Sequence, residues 1–444
     1  MKNISIWEDT VNIKKYNELK ENIEVDVLII GGGITGISTL YQLNNTNLKV
    51  ALVEQNRIGK GVTCKSTGKL TYMQNDLLDK IRTNFDDDTL IKYIESQKYS
   101  IKEIVNTIKN NNINCDLQKV SSSIYTSKED EIVKLLSLKN ILEKNKIKVK
   151  NIKPNLVNSK YTITVDDTYI FHPLKFIECL LINNKYPIYE NTGIKKIIKE
   201  DNYYICYTDK YQIKTKYVII ASHYPYFNIP YMFPIKGYLE KSYLSASIYK
   251  TKPISLISYS NPFISIRNYK DYLIYLSNSH SLNKDIDNTK NFNELKKKIK
   301  DLNLTPEYLW SNIDIITNDG LPYIGTIKDN MLIATGYNTW GLTNGFLAGI
   351  ILTDIITNKE NKYIELFNPN RFNIKQISGA ISDSIKNIDG YIKGFIGNSD
   401  KTCPHMGCKL IYNKIEDTWD CPCHGSRFNK DGKCISGPSN KDIT

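Results

Sequence analysis

The sequence of 444 residues predicts a mixed α/β (α+β) chain with a distinct small module at its C-terminal end. Two observations predict this organisation. Near the start, a run rich in β-branched residues (25–30) leads into a glycine turn, an apolar helical segment and a second strand, the order of a βαβ unit. Near the end, five of the nine cysteines crowd into residues 403–434, whereas the other four are scattered singly. The tail is therefore a separate unit.

The glycine turn has the G-x-G-x-x-G spacing of dinucleotide-binding proteins, and an acidic residue follows the second strand. The first glycine permits the tight turn, the second admits a pyrophosphate, and the third lets the helix pack against the strand. The free N–H groups at the helix N-terminus suit phosphates, and the carboxylate suits ribose hydroxyls. The alternative is a glycine-rich turn of another α/β protein. We predict an ADP moiety here, with contacts from Gly31, Gly33, Ile34, Thr35, Gly36 and Glu54.

The loop that follows, residues 57–71, is rich in Gly, Ser and Thr. Its place directly after the second strand puts it over a bound cofactor, where hydroxyl and N–H groups contact phosphates and rings. The alternative is an ordinary polar loop. The candidates for cofactor contact are Ser66, Thr67 and Lys69.

The middle of the chain alternates between helical and strand patterns. Apolar residues recur at helical spacing over 76–113 and 128–145, with a strand at 115–126, and Pro173 opens a further helix. His172 is favoured as a turn residue over a catalytic one. Several short strands follow over 187–221, and 241–280 alternates as antiparallel strands do. Arg267 lies within one of these strands, either as a surface arginine or as a charge that holds an anionic substrate group.

A second informative block spans residues 310–357. It predicts a buried strand at 331–335, a turn at 336–345 rich in Gly, Thr and Asn, and a helix at 346–356. The positive end of this helix can lie against negative charge on a reduced cofactor ring. The candidate contacts are Gly336, Gly341, Thr343, Asn344 and Gly345.

Composition excludes some classes of function. The net charge is +12, but the lysines alternate with apolar and acidic residues, so no clustered patch for nucleic acid is seen. The N-terminus has no secretory signal, and no apolar run is long enough to span a bilayer. We expect a cytoplasmic protein, with peripheral membrane association still open.

From about residue 5 to residue 370 the chain resembles the D-amino-acid-oxidase-like family of FAD-dependent oxidoreductases, which includes glycine and sarcosine oxidases. The resemblance is carried by the glycine turn, Glu54, the loop around Ser66 and Thr67, Phe171 to Pro173, 217–221, 320–325 and 336–345. It implies FAD in a Rossmann-like domain interleaved with an antiparallel-sheet substrate domain. Since no cysteine is placed for covalent attachment, we expect the FAD to be bound non-covalently. The implied FAD-binding parts are about 20–80, 165–235 and 310–360, and the substrate parts are about 81–164 and 236–309.

The tail contains Cys-x-His-x-x-Cys and, twelve residues later, Cys-x-Cys-His. Two Cys and His pairs on two loops are what a Rieske [2Fe–2S] cluster requires, because one iron takes two thiolates and the other two imidazoles. The alternative is a zinc site. The tail resembles the Rieske domains, and that resemblance implies the ligands Cys403, His405, Cys421 and His424, and a disulfide between Cys408 and Cys423.

Rieske domains usually carry several strands before the first ligand loop, but only about thirty residues separate Phe372 from Cys403. We therefore predict a linker at 371–398 and a truncated, small all-β Rieske module at 399–444 that leans on the flavoprotein body, since so short a piece is marginal alone.

FAD takes up two electrons and a Rieske cluster moves one at a time, so the pair predicts a dehydrogenase of an amine, amino acid or related small molecule. Its external redox partner would be a protein or a quinone. No catalytic base is evident, and Arg267 and His280 are the substrate-side candidates. The alternatives are a redox-sensing or electron-transfer protein without turnover, and an oxidase-like flavoprotein with a structural metal tail. A Rieske oxygenase is disfavoured because the other histidines are only His172, His223 and His280.

Overall fold

The computed structural model describes residues 1–224, 236–282, 287–371 and 399–443, which form three β-sheets and the helices around them. Strands and helices are numbered along the chain. The predicted linker 371–398 lies, apart from Arg371, outside the described residues. Of the helices within those ranges, none is long and apolar enough to cross a membrane.

The first sheet has eight strands, in the order β15-β16-β9-β1-β2-β6, with β7 and β8 attached beside β9. Neighbours from β16 to β6 run parallel, and β15 is an antiparallel edge. Its strands are β1 (Ile23–Ile30), β2 (Val50–Val53), β6 (Ile188–Tyr189), β7 (Lys196–Glu200), β8 (Tyr203–Tyr207), β9 (Gln212–Ile220), β15 (Tyr323–Lys328) and β16 (Met331–Thr335).

The centre of this sheet is a nearly continuous run of buried β-branched and leucine side chains, as expected where helices or loops cover both faces. Ile30 of β1 lies level with Val53 of β2 and Ile220 of β9. The carboxyl ends of the three central strands therefore meet at one edge, which is where open α/β sheets bind ligands.

The helices are α1 (Ile6–Thr10), α2 (Ile34–Leu43), α3 (Leu77–Asn84), α4 (Asp87–Asn110), α5 (Ile132–Lys144), α6 (Pro173–Leu180), α7 (Asn288–Asp301) and α8 (Gly341–Ile356). His172 is the N-cap of α6, and its Nδ1 accepts a hydrogen bond from the Lys175 N–H. Its Nε2 lies 2.9 Å from the Thr10 hydroxyl. His172 is thus a structural residue, as the sequence favoured.

The second sheet also has eight strands, in the order β14-β10-β13-β12-β11-β4-β5-β3, antiparallel except for the pair β11 and β4. They are β3 (Lys69–Leu70), β4 (Gln118–Thr126), β5 (Tyr161–Ile170), β10 (Gly237–Ile248), β11 (Ser255–Ser258), β12 (Ser265–Tyr269), β13 (Tyr272–Ser281) and β14 (Pro306–Thr317).

Strand β14 presents alternate residues to two different neighbours, because side chains along a strand point to opposite faces. Asn312 and Asp314 face the edge of the first sheet, where they line a cleft. Ser311 and Ile313 face the C-terminal module. The strand is thus a partition one residue layer thick between cleft and module.

The C-terminal module is a four-stranded antiparallel sheet with a minimal core. Its apolar centre consists of Leu410, Phe428 and the cysteines. The strands are β17 (Ile411–Asn413), β18 (Thr418–Asp420), β19 (Arg427–Asn429) and β20 (Cys434–Ser436).

Candidate functional site

A cleft opens at the carboxyl edge of the first sheet, between the glycine turn, the loop after β2, the start of α8 and strand β14. The structure brings a subset of the residues selected from the sequence to this cleft. The residues of that subset are Gly31, Gly33, Ile34, Thr35, Glu54, Ser66 and Gly341.

The glycines of the turn leave room that other residues would fill. Gly31 has φ +114°, and a Cβ there would lie 2.6 Å from the Ala221 carbonyl oxygen of β9's end. A Cβ on Gly36 would lie 1.9 Å from the Gly31 oxygen, so α2 packs directly onto the turn. Gly33 lines the cleft, and the nearest atom to a Cβ there is the Thr63 hydroxyl at 3.4 Å. This backbone cradle at a helix N-terminus fits a pyrophosphate.

Glu54 lies at the end of β2, beside the turn. Its Oε2 accepts a hydrogen bond of 2.7 Å from the Gly32 N–H, and its Oε1 one of 2.8 Å from the Asn56 N–H. Burial raises the pKa of Glu54, and the two N–H donors oppose that rise. The carboxylate is therefore fixed in the position from which such a residue holds ribose hydroxyls.

Two tryptophans hold the loop after β2 against the cleft. The Trp7 indole N–H donates to the Ser66 carbonyl at 2.7 Å, and that of Trp310 donates to the Lys65 carbonyl at 2.9 Å. Thr63, which no motif in the sequence marks as a contact, accepts a hydrogen bond of 3.0 Å from the Ile34 N–H and lines the cleft.

Thr67 and Lys69 do not reach the cleft, in contrast to the sequence-based expectation. Lys69 is in β3, and its ammonium donates to the Leu256 carbonyl and to the Ser265 hydroxyl inside the second sheet, at 2.8 and 2.7 Å. Burial, with nearby Arg267, holds the pKa of Lys69 well below its usual range. Alternation along the short strand explains the outcome, since Lys69 points into the sheet's packing rather than toward the cofactor.

Helix α8 starts at Gly341, five residues before the predicted start, and this places three candidates inside the helix and away from the cleft. The Thr343 hydroxyl donates to Gln97 at 2.7 Å, and Asn344 accepts from Gln97 at 2.8 Å, so both side chains face α4. A Cβ on Gly345 would lie 2.7 Å from Ile34, so this glycine permits helix packing. Gly336, at φ +73°, serves the turn before the helix.

Neither substrate-side candidate lies at the cleft. Arg267 is 1% exposed, and within the described ranges its guanidinium donates to main-chain carbonyls, those of Thr67, Gly68, Phe171 and Asn268. His280 of β13 contacts the Tyr243 hydroxyl and stacks on its ring at 5.7 Å. Arg267 thus ties the cofactor-side loop to the second sheet, and its proposed role as an anion anchor is corrected.

The structure adds His223, Asn312, Asp314 and Tyr337 to the lining of the cleft. His223 Nε2–H donates to the Ile313 carbonyl at 3.1 Å, and burial lowers its pKa to about 4, so the imidazole is neutral. The polar residues at alternate positions 312 and 314 of a strand that otherwise reads as apolar were the signal that could have selected them.

The four predicted cluster ligands come together in the module. Cys403 and Cys421 lie within hydrogen-bonding distance, and the hydrogen bond from Cys421 lowers the pKa of Cys403 to about 6, although burial opposes this. The rings of His405 and His424 have centroids 4.9 Å apart. Burial lowers the pKa of both histidines, which keeps the imidazoles neutral as metal ligation requires.

His405 Nδ1 is buried and has no hydrogen-bond partner among the described residues. An orphaned ring nitrogen beside a second histidine and two thiol groups fits the donor set of a Rieske cluster. A disulfide joins Cys408 to Cys423 and so ties the two ligand loops together, as the resemblance implied. Gly437, at φ +99°, packs against Gly425 and Ser426 of the second loop.

The module docks on the outer face of β10 and β14. A Cβ on Gly425, next to His424, would lie 3.3 Å from both Ile313 and Leu239. The Ser311 N–H donates to Glu416 at 3.0 Å, and Lys241 pairs with Asp420 at 2.7 Å.

A second set of contacts joins the module to the loop after β2. The Gln55 amide donates to the Ser439 carbonyl at 3.2 Å, and the Asn56 amide to the Ile435 carbonyl at 3.4 Å. Residues 435–437 line the same cleft as Gly31 and Glu54. The C-terminal module therefore forms part of the wall of the cleft that contains the glycine turn.

The fold and these two sites define a flavoprotein oxidoreductase with a C-terminal iron–sulfur module. Residues 26–355 match the model of the DAO family, described as FAD dependent oxidoreductase, and residues 388–444 match that of the Rieske [2Fe-2S] domain. The chain belongs to the FAD dependent oxidoreductase family and carries a Rieske domain. Its cofactors are FAD and a Rieske-type [2Fe–2S] cluster.

One relative has the same architecture along its length. It is a Bacillus subtilis (strain 168) protein, YhfW, whose name describes it as a Rieske 2Fe-2S iron-sulfur protein; it is 28% identical over 98% of this chain and 96% of its own. The gamma-glutamylputrescine oxidoreductase of Escherichia coli (strain K12) is 22% identical over 78% of this chain and 87% of its own.

Solved structures share the fold of the flavoprotein part. The L-proline dehydrogenase of P. horikoshii has a TM-score of 0.68 at 17% identity, covering 79% of this chain and 98% of its own. The glycine oxidase of Geobacillus kaustophilus has a TM-score of 0.64 at 16% identity, covering 79% of this chain and 99% of its own.

Proposed function

We propose that the protein is a dehydrogenase of an amine, amino acid or related small molecule, in which electrons pass between the flavin, the Rieske cluster and an external redox partner. The partner is a one-electron carrier protein or a quinone, and the site of action is the cytoplasm. The dinucleotide would be held by the glycine turn, Thr63 and Glu54, and the cluster by Cys403, His405, Cys421 and His424.

The observation that carries this proposal is the position of the second ligand loop. Gly425, the neighbour of His424, packs on Ile313, and the residues on either side of Ile313 line the cofactor cleft. Strand β14 thus lies between this ligand loop and the cleft, and residues 435–437 of the module line the cleft themselves. A plain oxidase needs no second redox centre, so a cluster placed against the cleft favours electron transfer out of the flavoprotein body.

A bound flavin supplies hydride acceptance from a C–H bond, and a Rieske cluster supplies one-electron transfer. The chain's own groups position these cofactors. Neutral His223 braces β14 between the two sites through the Ile313 carbonyl, and Tyr224 lies with its ring centroid 6.1 Å from that of His424.

The test uses the anaerobically purified full chain and a panel of small amines and amino acids. We expect a member of the panel to bleach the flavin absorbance and, in the same sample, to produce the low-average-g EPR signal of a reduced Rieske cluster. The control is Cys421→Ser, which should lose the EPR signal but keep substrate-driven flavin bleaching.

Two results would contradict the proposal. Zinc in place of iron in the purified protein would leave an oxidase-like flavoprotein with a structural tail. A flavin bleached by substrate beside a cluster that stays oxidised would show that the two centres do not communicate.

A further inference from the structure

We propose that Asp314 and Glu240 form a recognition site for the ammonium group of a cationic amine at the flavin-facing side of β14 and β10. This inference rests on the proposed function, because it assigns the substrate class of that same site. It selects amines from the broader set of amines, amino acids and related molecules.

The two carboxylates lie directly opposite each other. Glu240 of β10 and Asp314 of β14 are register partners in the antiparallel pair, so both side chains point to the same face. At such positions the Cβ atoms of the two residues are about 4.5–5.5 Å apart, and like charges there are destabilising. A cation between them removes that cost.

Asp314 is 8% exposed and lines the cofactor cleft. Its Oδ2 accepts a hydrogen bond of 2.7 Å from the Asn312 amide. Within the described residues its Oδ1 accepts no hydrogen bond, and neither carboxylate forms an ion pair. The Asp314 side chain is nine-tenths buried at the wall of the cleft, and a ligand in the cleft can supply a donor to its second oxygen.

The surrounding charges do not neutralise this pair. Asp76 adds a third carboxylate toward Glu240. Among the described residues Lys80 is the cation that lowers the pKa of Glu240, less than the other causes raise it, and its ammonium donates to the Thr317 carbonyl at 2.7 Å. Burial raises the pKa of Asp314 to about 7, and burial followed by Asp314 raises that of Glu240 to about 7. The site therefore has carboxylates whose ionised form is short of a counter-ion.

The cations that line the cleft among the described residues are already paired with acidic side chains. Arg57 forms a 2.9 Å ion pair with Glu190, and Lys60 lies 3.7 Å from Glu8. Arg267, the sequence candidate for an anionic substrate group, is held by main-chain carbonyls. Among the described residues, the sheet side of the cleft thus favours a cation over a carboxylate.

The test measures binding to the FAD-loaded full chain under anaerobic conditions, by perturbation of the flavin absorbance spectrum. The probes are n-butylamine and butyrate, which are similar in size and opposite in charge. We expect n-butylamine to perturb the spectrum and butyrate to leave it unchanged.

The variants are Asp314→Asn and Glu240→Gln, which keep shape and remove charge. Each should weaken n-butylamine binding about tenfold or more, the usual effect of losing a charge-assisted hydrogen bond. Asp271→Asn is the matched control, because Asp271 is exposed in the turn between β12 and β13 of the same sheet. FAD content and circular dichroism of each variant establish that it is folded.

Butyrate binding in preference to n-butylamine, no spectral response to the amine, or unchanged amine affinity in both folded variants would each overturn the inference. The proposed function fails separately, since it requires flavin and cluster reduction. Amine binding that depends on Asp314, without reduction of either centre by any amine, would refute the dehydrogenase and retain the cation site.

Discussion

A buried group of four charges fastens the Rieske module to the flavoprotein body. Lys241 of β10 pairs with Asp420 of the module at 2.7 Å, and their side chains are 2% and 7% exposed. Arg427 pairs with Asp420 at 3.1 Å and with Glu416 at 2.9 Å. Two cations balance two anions, and only Lys241 comes from the body. The stability change on removing the Lys241–Asp420 ion pair therefore measures how strongly the module is held on the flavoprotein body.

Replacing Asp420 with Asn removes the carboxylate paired with buried Lys241, whose ammonium keeps its 2.7 Å hydrogen bond to the neutral Asn288 amide oxygen. Removing one member of a buried ion pair costs about 3–5 kcal/mol, because the other charge stays desolvated. Burial alone would raise the pKa of Asp420, but Arg427 and Lys241 hold it well below its usual range. The stabilisation is therefore present above the unfolded pKa of about 4, and it is lost as pH falls toward the lowered native pKa.

The assay is urea unfolding of the holoprotein at pH 7, followed by the visible absorbance of the cluster and by far-UV circular dichroism. We expect Asp420→Asn and Lys241→Met each to lose about 3–5 kcal/mol, and the double variant Lys241→Met/Asp420→Asn to lose clearly less than the sum. Lys2→Ala is the control, since the exposed Lys2–Asp9 pair should be worth about 0–1 kcal/mol.

Two outcomes would refute this reasoning. A loss below about 1 kcal/mol in Asp420→Asn, comparable to a surface pair, would mean that the charge group does not hold the module. Additive losses in the double variant would mean that Lys241 and Asp420 act independently.

Three further predictions concern the cofactor sites. Gly36→Ala should lose FAD, because its Cβ would lie 1.9 Å from the Gly31 oxygen; the FAD content of purified protein checks this, and a full complement would contradict it. Cys421→Ser should purify without the Rieske EPR signal and with little iron by metal analysis, while its flavin spectrum is kept. Asp314→Asn should be more stable than the parent above pH 7, by on the order of 2–4 kcal/mol. The reason is that folding raises the pKa of this carboxyl from 3.8 to about 7, so its contribution to stability is present below pH 4 and is lost as pH rises through 7. Equal urea midpoints for the variant and the parent at pH 8 would contradict this prediction.

The sequence predicts those parts of the fold and of the two sites that depend on residues close together along the chain. The glycine spacing, the acid at the end of β2 and the paired Cys and His loops follow fixed distances along the chain, so the cleft and the ligand set were accessible without a structure. The start of α8 was not, because Gly341, Thr343 and Asn344 are turn formers in isolation. In the folded chain Gln97 supplies partners for the last two, and tertiary contacts override the local preference.

The substrate side was the least predictable part. Arg267 was selected for its charge, yet its partners are carbonyl oxygens from residues about one hundred and two hundred positions away in the sequence. Asp314 was passed over because its environment depends on the register of β14 with β10. The alternation at 312 and 314 marks one face of the strand, but the identity of the residue opposite Asp314 leaves no local signal.

The alternation of side chains along β14 also makes both redox sites depend on the register of this one strand. Asn312 and Asp314 face the cleft while Ser311 and Ile313 face the module. Inserting or deleting one residue upstream within the strand would turn both sets over together, placing a buried carboxylate against the module and isoleucine against the flavin. A shift of two residues would leave each side chain on its original face of the sheet but would place it opposite a residue two positions further along the neighbouring strand. An insertion or deletion within β14 would therefore change the residues at the cleft and the residues at the module together.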